Sequence, residues 1–80
     1  MKVAVVAAQH REALEVIARL GMVGKAEPLA AEITPLLGHR FTAVVVVAMP
    51  QRGVKDREWW ETLMDRNSGP VWTLDEWRNQ

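Results

Sequence analysis

Apolar residues in this chain fall into two kinds of run, and the contrast between them lays out the elements. Residues 3–8, Val-Ala-Val-Val-Ala-Ala, are unbroken and rich in β-branched side chains. A run of that kind predicts a strand buried on both faces. Residues 41–48, Phe-Thr-Ala-Val-Val-Val-Val-Ala, repeat the pattern more strongly and are closed by Pro50. From 11 to 20 the period changes. At about 100° per residue, Ala13, Leu14, Val16, Ile17, Ala18 and Leu20 share one broad face, and Arg11, Glu12, Glu15 and Arg19 share the other. The pairs Arg11–Glu15 and Glu15–Arg19 are spaced i,i+4, worth about 0.2–0.5 kcal/mol each. Gly21 supplies a cheap left-handed stop to this helix.

A second helix is expected from Glu27-Pro28, with proline at its first position. Leu29, Ile33, Leu36 and Leu37 hold one face as far as Gly38. Pro35 interrupts it, which predicts a kink or a restart capped by Thr34. A third helix is predicted over 55–66, followed by the turn Asn67-Ser68-Gly69-Pro70. Residues 71–73 read as a short strand. Thr73-Leu-Asp-Glu76 matches a capping box, and Trp72 and Trp77 then stand at the two positions of a hydrophobic staple.

The expected fold is α/β: one domain over 1–80, in the order β-α-α-β-α-β with a short C-terminal helical turn. Helices with a single apolar face should pack on a three-stranded, mostly parallel sheet joined by right-handed crossovers. The last strand either continues the parallel sheet or returns as an antiparallel edge.

Composition narrows the partners. Ten basic and ten acidic residues give a net charge of zero in 80 residues. That balance argues against a non-specific nucleic-acid binder, which carries a basic excess. With no cysteine, the chain has no disulfide, thiolate nucleophile or thiolate zinc site. No apolar run approaches the roughly 20 residues of a membrane span. The expectation is a soluble, cytoplasmic protein without membrane contact.

Most catalytic motifs fail on inspection. Gly21-Met-Val-Gly24-Lys25 echoes the end of a phosphate loop, but Arg19 stands where the first glycine belongs and Ala26 where a Ser or Thr belongs. It reads as a turn between helices. No glycine follows the first strand, so the dinucleotide fingerprint is absent. His10 and His39 have no ligand-spaced partner, and no metal or other cofactor is expected. Ser68, the sole serine, lies in a turn rather than on a nucleophile elbow.

Two surfaces remain. If the first two strands are parallel neighbours, His10, Arg11, Arg52, Lys55 and Arg57 gather beyond their carboxyl ends. Two helix N-termini would meet them there, an arrangement that favours anions. The second surface lies on the third helix, where Glu58, Glu61 and Asp65 form an acidic stripe. Trp59 and Trp60 occupy its other side, sharing an arc with Leu63 at the centre. All four tryptophans fall within the last 22 residues. Core packing is the ordinary use of such side chains, and an exposed one beside charged residues is a common binding anchor. Trp59 has the least local structural explanation.

In length, mixed charge and lack of a catalytic motif the chain resembles the small host-defence inhibitors of phages and other mobile elements, such as anti-CRISPR proteins. The resemblance implies a non-enzymatic module that binds a host CRISPR–Cas effector, a protein or nucleoprotein complex, and blocks its nucleic-acid site. On that reading Trp59, Glu58, Glu61 and Asp65 are the candidate contacts. The alternative is a small anion- or nucleotide-binding domain, or a minimal enzyme, that uses the basic loop edge. A third reading is an accessory subunit that completes its core by homo-oligomerising.

Overall fold

A computed structural model describes residues 2–30, 40–48 and 54–79, apart from the side chains of 54–56. Seven elements follow in order: β1 (Val3–Val6), α1 (His10–Arg19), β2 (Ala26–Leu29), β3 (Ala43–Val46), α2 (Val54–Asp65), β4 (Val71–Thr73) and α3 (Leu74–Arg78). The strands form one sheet in the order β2-β1-β3-β4. Every pairing is parallel.

The α/β class holds, with one correction: the sheet has four strands rather than three. Of the two courses open to the last strand, β4 takes the parallel one. The additional strand is β2, in a segment expected to begin a helix. Glu27-Pro28 resembles a helix start, but proline is also tolerated where a strand has a free edge. Val3 N–H donates to Lys25 O and Ala7 N–H to Leu29 O, so alternate residues of β2 face β1. The ring nitrogen of Pro28 therefore points outward, where no ladder bond is lost. The remainder of that expected helix, with Pro35 and Thr34, lies outside the described residues.

Crossover handedness explains the layering. From the central pair, α1 leads out to β2 and α2 leads the opposite way to β4. Both connections can be right-handed only if the two helices lie on opposite faces. Ala13 and Ile17 of α1 accordingly cluster with Val5, Ala7 and Val45, with Leu74 and Trp77 of α3 packed alongside. On the other face Leu63 of α2 joins Ala4, Val6, Leu29, Phe41 and Val44, flanked by Trp59, Trp60 and Met64. β1 and β3 are covered on both sides, and their alternate residues belong to different clusters.

The apolar face of α1 is narrower than its sequence implied. Ala13 and Ile17 are buried and Val16 is half-buried, whereas Leu14 is 48% exposed. Leu14 lies about 100° around the helix from Ala13, beyond the reach of the sheet. No helix among the described residues is long and apolar enough to cross a membrane.

The turn into β4 is fixed by close contacts. Phe41 N–H donates to Arg66 O and Ser68 N–H to Phe41 O. The Ser68 hydroxyl also donates to Phe41 O. Asn67 closes an Asx turn through its side chain, accepting from Gly69 N–H and donating to Gly69 O. A Cβ at Gly69 would overlap Thr42 O, so only glycine fits this approach.

Candidate functional site

All four strands are parallel, so their carboxyl ends share one edge of the sheet. The chain leaves β1 toward β2 and leaves β3 toward β4, so the direction of winding reverses between β1 and β3. Open α/β sheets bind ligands in the crevice at such a reversal. The condition on which the basic-edge expectation rested is thereby met: β1 and β3 are parallel neighbours, with Val6 opposite Val46.

Backbone bonds hold the β3 side of the crevice. Val47 and Ala48 N–H both donate to Val6 O, at 2.8 and 3.3 Å. On the β1 side, Gln9 is the N-cap of α1 in an extended conformation, and its side chain makes no capping bond. The first helical bond runs from Ala13 N–H to Gln9 O. The N–H groups of His10, Arg11 and Glu12 therefore precede the ladder and have no acceptor within the helix. Glu12, in this first turn, already complements the helix dipole.

Expected site residues divide by position. His10 is half-buried at the start of α1, and Arg11 is exposed beside it. Arg57 is exposed near the start of α2. Because α1 and α2 cover opposite faces, Arg11 and Arg57 stand near the starts of helices on opposite sides of the sheet. Lys55 belongs to the first turn of α2, its side chain outside the described residues, and Arg52 lies outside them altogether. Among the described residues no group of three His, Asp or Glu side chains could hold a metal ion.

On α2, Glu58, Glu61 and Asp65 are all exposed. None is in an ion pair among the described residues. Trp59 and Trp60 are both half-buried against the cluster centred on Leu63. Trp59 is thus a packing residue with an exposed margin, and its ring borders the acidic stripe rather than standing clear of the fold. Trp72 and Trp77 pack edge to face, with ring centroids 6.4 Å apart and planes at 67°. That is the expected staple across the capping box at Thr73.

Sequence reasoning missed a second charged region. At the opposite, amino edge, Lys2, Lys25, Glu27, Arg40 and Thr42 line an open cleft of about 550 Å3. The signal was available: a cation directly precedes β1 and β2, and another lies shortly before β3. In a parallel sheet such positions collect at one edge, but only once β2 is recognised as a strand. No known protein family matches this chain, and no curated protein or solved structure matches it either.

Proposed function

We propose that this chain is a small anion-binding α/β domain, with its ligand, of the phosphate or nucleotide class, in the crevice beyond the carboxyl ends of β1 and β3. One observation carries the reading: the parallel order β2-β1-β3-β4 reverses its winding between those two strands. The uncapped start of α1 at that point adds free N–H donors, and Arg11 and Arg57 add positive charge from the two faces. Binding requires no further chemistry from these residues.

Thermal unfolding in the presence of inorganic phosphate or AMP tests the proposal. Ligand at about 100 times its Kd stabilises by about 2.7 kcal/mol. A rise in Tm at millimolar ligand that is lost in Arg11→Ala and weakened in Arg52→Ala/Lys55→Ala supports it. An unchanged Tm at millimolar concentration of both ligands overturns it.

A second reading has its own observation. The exposed carboxylates of Glu58, Glu61 and Asp65, in no ion pair among the described residues and bordered by Trp59, suit a basic surface on a protein or nucleoprotein partner, as an anti-CRISPR-like inhibitor would require. Reversing all three charges leaves the fold intact, because none of the three is buried. Partner capture by the wild type that survives the triple reversal removes this reading.

A further inference from the structure

We propose that the cleft at the amino edge of the sheet is a second binding site, which takes a small ligand carrying several phosphate groups. It lies at the far end of the strands from the β1–β3 crevice and does not depend on the assignment there. Four residues at about 3.3 Å each separate the two edges by roughly 13 Å.

Three adjacent strands build the cleft. Lys2 precedes β1, Gly24 and Lys25 precede β2, and Arg40 and Thr42 precede β3. Main-chain bonds tie these segments together. Lys25 O accepts from Val3 N–H, and Lys2 O accepts from Thr42 N–H at 2.9 Å and from the Thr42 hydroxyl at 3.3 Å. The backbones of Lys2 and Lys25 are therefore held by the sheet itself, and Arg40 directly precedes Phe41, whose N–H donates to Arg66 O. Gly24 has φ +84, and a Cβ there would meet nothing within 4 Å, so the rim beside Lys25 is open.

Charge decides what fits. Among the described lining residues, Lys2, Lys25 and Arg40 share the cleft with one carboxylate, Glu27, whose contact with Lys2 is long at 3.7 Å. Lys25 and Arg40 have no ion-pair partner among the described residues. The described lining residues thus carry an excess of two positive charges in a chain whose net charge is zero. Its volume of about 550 Å3 lies within the range of small-molecule sites. Separated cations suit a ligand with several anionic groups, and arginine adds the fork geometry that matches phosphate oxygens. A nucleic-acid groove would instead spread its basic residues along a continuous stripe.

Isothermal titration with inorganic tripolyphosphate tests the site, using the full chain. The wild type is expected to bind, and Lys25→Ala/Arg40→Ala is expected to lose at least tenfold in affinity. Both side chains are exposed, so this variant should fold. Glu27→Gln removes the one carboxylate among the described residues that line the cleft and is expected to tighten binding, an effect that a merely structural role would not produce. Tripolyphosphate bound at the β1–β3 crevice is lost in Arg11→Ala, so the binding that depends on Lys25 and Arg40 is expected to persist in that variant. No binding, or binding indifferent to the Lys25/Arg40 pair, overturns the proposal. Tighter binding of a single-stranded oligonucleotide than of tripolyphosphate, lost in the same double variant, also overturns it in favour of a nucleic-acid surface.

Discussion

Gly69 is fixed by its distance from a neighbouring backbone, not by its dihedral angles. Thr42 O lies where a methyl group would go, at the junction that ties the turn after α2 to the start of β3. Gly69→Ala must push one backbone segment off the other, an overpacking cost near the upper end of about 1–3 kcal/mol. Chemical denaturation checks this, and a loss below about 0.5 kcal/mol, the scale of an ordinary surface substitution, would contradict it. Trp59 poses the opposite question. Its ring packs on the cluster around Leu63 while the neighbouring carboxylates stay in solvent. Trp59→Ala is therefore expected to cost about 1–3 kcal/mol of stability. A variant with wild-type Tm and reduced partner capture would instead give the ring a binding role.

At the scale of elements, α3 shows how five residues hold a helix. Thr73 Oγ1 accepts from Glu76 N–H at 3.1 Å, and Glu76 Oε1 accepts from Thr73 N–H at 2.9 Å. Both bonds satisfy N–H groups that the helix itself cannot. Thr73→Ala should cost about 1 kcal/mol, read from the denaturation midpoint. The hydrogen bond from Thr73 N–H, and after it one with the Thr73 hydroxyl, holds the Glu76 carboxyl below its ordinary value of 4.5. A carboxyl lowered in the folded state stabilises the fold above pH 4.5 and loses that contribution as pH falls through its folded value. Glu76→Gln should flatten this part of the acid-unfolding curve, and an unchanged acid limb would count against the assignment. This capping box was legible in the sequence because four consecutive positions encode it. Helices α1 and α2 were legible from their period, and β1 and β3 from their apolar runs. β2 was not. It is four residues long at a sheet edge, and its Pro28 and Glu27 are tolerated only because neither has to face a second strand. With β2 hidden, strand order could not be read, and so neither could the cleft formed by Lys2, Lys25 and Arg40. The crevice at the other edge was legible only conditionally, since its residues follow strands whose adjacency the sequence left open.

Across the whole molecule, the sheet ends in two edges and both are blunted. On β2 the outward Pro28 has no N–H to offer. On β4, Val44 N–H donates to Pro70 O, so Trp72 faces β3 while Val71 and Thr73 face outward. The Thr73 N–H is already taken by Glu76, which leaves Val71, 43% exposed, as the outward residue of β4 whose N–H has no acceptor among the described residues. Open strand edges recruit further strands, and proline or an occupied donor prevents it. The fold is thus built against growth through its sheet, and any assembly should use a helical face or one of the charged edges. Pro28→Val restores the missing donor, and Glu76→Ala frees the N–H of Thr73. The double variant is expected to self-associate with rising concentration in sedimentation velocity, under conditions where the wild type shows no association through its strand edges. Hydrogen exchange locates the contact: association should slow exchange at the new position-28 amide of the double variant and at Val71. Wild-type chains already protected at Val71 on association would show that the β4 edge is open and that the cap at Glu76 does not guard it.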